Sequence, residues 1–297
     1  MNVSPDMVCI GAVLWDVIGR ARGPLAPGDD VPGRITRRPG GVALNVAVAL
    51  ARRGLRPALL GAVGQDAEGA ALIEVCDAMG IETAHLFRSP VQPTDIYMAI
   101  EAEQGLVAAI ADAACLESAG AAVLQPLVDG TLGRPGAPYR GIVVVDGNLM
   151  PPLVAEIARH PAFAGADLRV APASPLKAER IAPLLRHPRT TLYLNRAEAG
   201  MLAGRVFADA GGAAEGMIGI GAQRVVVTDG AAPAVYAEGR LRVSARAAPT
   251  DIAHVTGAGD ALMAAHIAAE RAGAPPEDAL RAALAAAAGH IATEPLS

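Results

Sequence analysis

Apolar residues in this chain fall into two alternating rhythms, short unbroken runs and longer helical stretches. The first run, 7–19 (MVCIGAVLWDVIG), reads as one buried strand. Residues 20–38 are rich in glycine, proline and charge around Arg34-Ile35-Thr36, which reads as an excursion from the main sheet. Gly40-Gly41 opens a helix predicted over 42–53 and ended by Gly54; its apolar residues run nearly all round, which predicts burial. A second strand is predicted over 57–64, followed by a helix that starts with Asp66-Ala67-Glu68-Gly69 and ends near Gly80. Strand-like runs at 84–87, 94–101 and 106–110, separated by turns, predict hairpins on an edge or in a separate small sheet.

From residue 119 strand and helix alternate. Strands are expected at 143–146, 168–171, 191–194 and 224–228, and helices at 151–159, 177–185, 197–203 and 211–220. Two further strands, 234–237 and 241–245, precede a glycine turn at 257–260, and helices over 260–272 and 276–291 follow. This alternation predicts the α/β class, a mainly parallel sheet covered by helices on both faces.

Composition narrows the function classes. A length of 297 residues suits one α/β domain over 1–297. A hydrophobic share of 52% against 19% charged residues excludes a disordered chain, and the net charge of −5 excludes a general nucleic-acid binder. Cys9, Cys76 and Cys115 are widely spaced in no metal pattern, which fits reduced thiols in a cytoplasm. No basic leader with a signal-type apolar core appears, nor any apolar run of about 18 residues or more. A cytoplasmic protein with no membrane partner is expected.

Candidate chemistry concentrates at His254-Val255-Thr256-Gly257-Ala258-Gly259-Asp260, which leads into an apolar helical run. Gly257 and Gly259 let the backbone approach a ligand closely. The free N–H groups of the helix start, with Ala258 among them, favour an anion there. Asp260 in the first turn is placed to take a proton from a hydroxyl beside that anion, an arrangement suited to phosphoryl transfer to an alcohol. The alternative is a helix capped by Thr256, with Asp260 simply favourable on its dipole. Asp16 is read either as a ligand for substrate hydroxyls or as a turn residue. Asn45, one turn inside a buried helix, needs a partner, either a sugar hydroxyl or a backbone group. Other signatures are missing: there is no GxxxxGK[ST], no dinucleotide fingerprint after the first strand, no close histidine pair of zinc spacing and no GxSxG.

Five segments together resemble one family. They are Gly40-Gly41-Val42-Ala43-Leu44-Asn45, Gly64-Gln65-Asp66-Ala67-Glu68-Gly69, Asn195-Arg196-Ala197-Glu198, Thr228-Asp229-Gly230 and Thr256-Gly257-Ala258-Gly259-Asp260. In this order and spacing the chain resembles the ribokinase-like (PfkB) carbohydrate and nucleoside kinases over essentially its whole length. The resemblance implies a three-layer α/β/α sandwich with a small β-sheet lid, formed here by about 20–38 and 84–111. It implies an ATP-dependent phosphotransferase, with Asp260 as the base and the backbone of Gly257, Ala258 and Gly259 holding the transferred phosphoryl group. Asp16, Gly41 and Asn45 match positions that bind sugar hydroxyls. Asn195 and Glu198 match a motif that organises Mg²⁺ and the nucleotide phosphates, with Glu198 on the metal side, and Thr228 and Gly230 match the segment beside ATP. Homodimers through the lid are common in such enzymes. Many members place an acidic residue two positions before the Thr-Gly-Ala-Gly-Asp core, near a monovalent-cation (K⁺) site; His254 stands there, which counts against potassium activation.

Three stretches resemble the pseudouridine kinases more than sugar kinases: Pro93-Thr94-Asp95-Ile96-Tyr97 through Ala111-Asp112, Val145-Asp146-Gly147-Asn148-Leu149, and Ala173-Ser174-Pro175-Leu176-Lys177. They imply that Thr94 contacts a nucleoside from the lid and Lys177 lies towards the phosphates; the alternatives are a strand-surface threonine and a solvated helix lysine. Another sugar or nucleoside kinase of the family, or a catalytically silent binder on the same fold, are the rival readings. The Arg37-Arg38 and Arg52-Arg53 pairs are read as solvated surface.

Overall fold

The computed structural model describes residues 5–26, 28–103, 105–250 and 257–292. Strand β1 (Met7–Ile10) is followed by β2 (Leu14–Ala21), β3 (Gly33–Gly40), α1 (Val42–Ala51), β4 (Pro57–Leu60), β5 (Ala62–Gly64), α2 (Ala67–Ala78), β6 (Phe87–Ser89), β7 (Ile96–Ala102) and β8 (Gly105–Asp112). Short helices α3 (Ala114–Ala119) and α4 (Gln125–Val128) lead to β9 (Ile142–Asp146), α5 (Pro151–Arg159) and β10 (Asp167–Ala171). A 3₁₀ helix over Pro175–Leu184 precedes β11 (Thr190–Asn195), α6 (Arg196–Ala203), α7 (Ala210–Gly219) and β12 (Arg224–Thr228). The antiparallel edge strands β13 (Ala234–Glu238) and β14 (Leu241–Ala245) come next, then α8 (Ala258–Arg271) and α9 (Pro276–Ala292).

Among the described residues the main sheet has eight strands in the order β14-β13-β12-β11-β10-β9-β1-β4, parallel from β12 to β4. Successive residues of a strand face opposite layers. Val8, Ile10, Val143 and Val145 therefore pack with α3, α5, α6 and α7, while Met7, Cys9, Ile142 and Val144 pack with α1, α2, α8 and α9. Both faces are dry, which is why these strands read as continuous apolar runs. A second sheet has the order β3-β2-β7-β8. One of its faces turns to the carboxyl ends of the main strands.

Several expectations need correction. The run 7–19 is not one strand. At Gly11 (φ 151) the chain leaves the main sheet, at a point where a Cβ would lie 2.2 Å from the Asp146 carboxylate so that glycine is needed, and Leu14 onward builds the second sheet. Apolar residues on both sides hide this break, since both sheets want them. The run 57–64 also breaks, at Gly61, and β5 pairs with β6 in a separate two-stranded ladder. The strand expected at 84–87 sits at Phe87–Ser89 in that ladder, so the four-stranded sheet is made by 14–21, 33–40 and 96–112 instead of 20–38 and 84–111. The helix at 177–185 is a 3₁₀ helix, with Pro183 inside it removing a backbone donor. The short α3 and α4 were not expected at all.

Candidate active site

A cleft of about 690 Å³ lies between the two sheets, at the carboxyl ends of β9 to β12. In open α/β sheets this end is where crossovers leave room for a ligand. Asp16, Gly41, Asn45, Lys177, Asn195, Glu198, Thr228, Gly257, Gly259 and Asp260 all line it, though they come from segments spread over most of the chain.

The floor of the cleft is the start of α8. Gly257 takes φ +85, and a Cβ there would meet the His290 imidazole at 2.8 Å, so the position accepts only glycine. Among the described residues no side chain caps α8, so its first N–H groups, at Ala258 and Gly259, are placed to meet an anion. Thr256, the expected cap, and His254 lie outside the described residues. Asp260 accepts a hydrogen bond of 2.9 Å from Asn45 Nδ2, on α1. Burial, together with the carboxylates of Asp146, Asp16 and Glu198, pushes the Asp260 carboxyl up to about 7; the Asn45 bond works the other way. A carboxylate with that proton affinity, beside an open helix start, is a competent general base near neutral pH.

Opposite stands Asp16 of β2, its carboxyl raised by burial and restrained by Arg38, whose Nε is 3.7 Å away. A Cβ on Gly40 would lie 2.3 Å from the Asp16 carboxylate, and one on Gly41 (φ +99) 2.3 Å from the Ala12 carbonyl oxygen, so the two glycines bring β3 and α1 close. Beneath them the buried Asp146 accepts backbone N–H groups from Ala12 (2.9 Å), Ala43 (2.9 Å) and Asn148 (2.6 Å). It ties the end of β1 and the start of α1 to β9. Arg38 and Asp146 are contributions the sequence reading missed. The sequence pattern puts Arg38 on the solvated surface; its register opposite Asp16 across β2 and β3 places it in the cleft instead.

Thr94 is a correction. It is buried and does not line the cleft. Its hydroxyl donates to Asp66 Oδ1 at 2.6 Å and accepts from the Gly64 N–H at 3.0 Å, so both its capacities are used inside the fold. Asp66 in turn caps α2 through the Gly69 N–H at 2.8 Å. The Gly64–Gly69 motif and Thr94 thus form one brace that anchors the strand entering the second sheet.

On the far side of Asp260, Asn195 and Glu198 form a capping box at the start of α6: Asn195 Oδ1 accepts the Glu198 N–H at 2.9 Å, and Glu198 Oε2 accepts the Asn195 N–H at 2.8 Å. The motif therefore has a local structural reason. Burial raises the Glu198 carboxyl, opposed by that backbone bond, and its side chain still borders the cleft. Thr228 pairs with Asn195 across β11 and β12; Gly230 (φ +57) lies just beyond, exposed and off the cleft wall. Lys177 reaches Asn148 Oδ1 at 2.6 Å and is half-buried, so it is not a solvated helix lysine. Its ammonium pKa is lowered by burial and by Arg180, against the pull of Asp146.

Among the described residues no group of three His, Cys, Asp or Glu side chains is arranged to hold a metal ion. One carboxylate, Glu198, near an open anion site fits Mg²⁺ that keeps its waters and comes with phosphate ligands.

A family model described as pfkB family carbohydrate kinase matches residues 4–294. The chain belongs to the pfkB carbohydrate kinase family. Its members are phosphotransferases acting on sugar or nucleoside hydroxyls, and ribokinase-like kinases use ATP, typically with Mg²⁺. The pseudouridine kinase of Escherichia coli (strain K12) is 30% identical over 270 residues, covering 89% of this chain and 83% of that protein. The carbohydrate kinase from Agrobacterium tumefaciens is 26% identical with a TM-score of 0.80, over 96% of this chain and 90% of that one. The fold is also that of Arabidopsis thaliana ribokinase, solved with ribose and ATP, at a TM-score of 0.81 and 20% identity over 99% and 94% of the two chains. The ribokinase-like sandwich with a smaller second sheet is therefore this pfkB-family protein's fold.

Proposed function

We propose that this pfkB-family kinase transfers the γ-phosphoryl group of ATP to the 5′-hydroxyl of pseudouridine. The observation that carries the phosphotransfer reading is the pairing of a carboxylate at proton affinity near 7, Asp260, with free helix-start N–H groups, facing Asp16 across the cleft. The acceptor oxygen attacks the γ-phosphorus while its proton passes to Asp260. The bond from phosphorus to the β–γ bridging oxygen breaks, and ADP leaves with that electron pair. Backbone N–H groups at Gly257, Ala258 and Gly259 face the charge on the transferring oxygens. Asp16, Gly41 and Asn45 orient the acceptor hydroxyls. Asn195, Thr228 and Lys177 would border the nucleotide phosphates, and Glu198 is the carboxylate that would hold Mg²⁺. Bound Mg²⁺ neutralises phosphate charge that the surrounding carboxylates would otherwise repel.

The nucleoside acceptor rests on the relative at 30% identity and on the wall contributed by the second sheet. Ile18, Ala99, Leu106 and Ala111 of that sheet, with Leu116 of α3, give the cleft an apolar side next to Tyr97, which suits a base beside a ribose. The second sheet acts as a lid whose closure excludes water and limits ATP hydrolysis. Its other face exposes Ile35, Met98, Ile100 and Ile110, an apolar strip that suits a second copy of the chain. No requirement for a monovalent cation enters this reading, since His254 replaces the usual acid. Cys9, Cys76 and Cys115 are buried and free, as expected of reduced thiols in a cytoplasm. No helix among the described residues is long and apolar enough to cross a membrane.

The test is ADP release with Mg-ATP against pseudouridine, uridine, adenosine, ribose, fructose and 2-keto-3-deoxygluconate. Preference for pseudouridine supports the assignment. Preference for a free sugar keeps the chemistry and overturns the acceptor. Silence across the panel with Mg-ATP present overturns the acceptor and turns attention to a silent binder.

A further inference from the structure

A buried polar cluster lies behind the cleft, on the face of the main sheet that α8 covers. Arg169 of β10 is 3% exposed and His266 of α8 is 0% exposed. Arg169 Nη2 donates to Asp167 Oδ2 at 2.7 Å, while Nη1 pairs with Glu270 of α8 and donates to the Tyr193 hydroxyl of β11 at 3.3 Å. Arg224 of β12 donates to the other Asp167 oxygen at 2.6 Å. The Tyr193 hydroxyl lies 3.0 Å from His266 Nδ1. A guanidinium only donates, so the Tyr193 oxygen accepts from Arg169, and His266 Nδ1 faces both that hydroxyl and, at 3.5 Å, Glu270 Oε2. Burial lowers His266 to about 4, against the pull of Glu270, which keeps it neutral. Its ring is clasped as well, edge-on to Tyr193 (5.5 Å between centroids) and stacked on Tyr236 (5.8 Å).

As a source of stability this cluster is a poor design. Arg169 Nε and His266 Nε2 make no hydrogen bond among the described residues, and a half-satisfied buried network generally stabilises less than apolar packing of the same volume. What it supplies is direction. The rest of the buried face of α8 is Ala261, Leu262, Met263, Ala264, Ala265 and Ile267. With His266 these are seven consecutive buried positions, so α8 is packed all round, and apolar contacts are non-directional. Hydrogen bonds from two strands, Arg169 of β10 to Glu270 and Tyr193 of β11 to His266, add the direction instead. His266 and Glu270 lie about 9 and 15 Å along the axis from Asp260, at 1.5 Å per residue. Tyr193 also borders the cleft, so the cluster touches the site at one end.

We propose that Arg169, Tyr193, His266 and Glu270 are positioning residues that fix the axial rotation of α8, and with it the aim of Asp260 and of the N–H groups at 257–259. The proposal rests on the phosphotransfer reading above. A misplacement of about 1 Å in a reacting group can cost on the order of 100-fold in rate, so partial loss of the clasp has a measurable effect.

The test compares Tyr193→Phe and Glu270→Gln with Leu127→Ala, a core truncation remote from the cleft, at a temperature where circular dichroism shows all of them folded. The two cluster variants are expected to lower kcat about tenfold with KM values within about twofold, and to shift the acid limb of the rate profile, as loss of aim at a base should. Leu127→Ala lowers Tm without either change. Unchanged kcat and limb in both cluster variants would overturn the proposal. In parallel, carbon-13 NMR follows the Asp260 carboxyl in the ligand-free protein, assigned by Asp260→Asn. A shifted titration in Tyr193→Phe supports the cluster and an identical one overturns it, even if the wild type leaves pseudouridine untouched, a result that overturns only the acceptor.

Discussion

Asp260 owes its character to neighbours far away in sequence. Asp16, Asp146 and Glu198 crowd it with negative charge, and burial removes the water that would stabilise its ionised form. The base must be unprotonated to work, so kcat/KM is expected to rise about tenfold per pH unit below about 7 and to level off above it. A pH-rate profile at low substrate checks this. The same carboxyl affects stability with the opposite sense. In the folded protein it holds its proton more tightly than the unfolded value of 3.8, so its cost is absent below about pH 4 and grows as pH rises through about 7. Asp260→Asn should therefore melt above wild type at pH 8 and together with it at pH 4. The same variant is expected to lose about 10²–10⁴-fold in kcat while calorimetry finds nucleoside binding nearly intact. Near-normal turnover would remove Asp260 from the chemistry.

At the scale of elements, helix starts carry the site, and that of α6 is set by a short-range rule. The capping box of α6 would form in many proteins with Asn195 and Glu198 at this spacing, so its presence alone says little about metal. Substitution separates the two roles. Glu198→Gln keeps an oxygen for the Asn195 N–H, so Tm should stay within a few degrees while the Mg²⁺ concentration for half-maximal rate rises; an unchanged Mg²⁺ dependence would leave Glu198 with capping alone. The start of α1 depends on Asp146 instead. Asp146→Ala strands the N–H groups of Ala12, Ala43 and Asn148, and with each buried orphan costing about 1–3 kcal/mol, the urea midpoint should fall sharply. Asp146→Asn, which retains one acceptor oxygen, should lose less.

At the scale of the molecule, the second sheet has two unlike faces. Alternation along β7 sends Tyr97, Ala99 and Glu101 to the cleft and Met98 and Ile100 outward, beside Ile110 of β8. If the outward face holds a second copy, Ile110→Lys should shift the sedimentation coefficient to that of a monomer; an unchanged species would place any dimer elsewhere. Much of the architecture was legible beforehand, because apolar periodicity is local: the α/β alternation, the strand Arg224–Thr228, the helix Pro151–Arg159 and the open glycine start of α8 all follow from neighbours along the chain. Where two sheets both accept apolar residues, periodicity cannot tell them apart, and so the break at Gly11 and the transfer of Leu14–Ala21 to the second sheet were hidden. The sequence alone determined which residues have the chemistry, an acid after two glycines and an amide inside a buried helix. Only the tertiary structure decided their company. Asn45 meets Asp260 across 215 positions, Arg38 turns inward because it sits opposite Asp16, and Thr94 is consumed by Asp66. Hydrogen bonds and charge–charge terms act over a few ångströms of space, and the fold alone sets which residues lie within that reach.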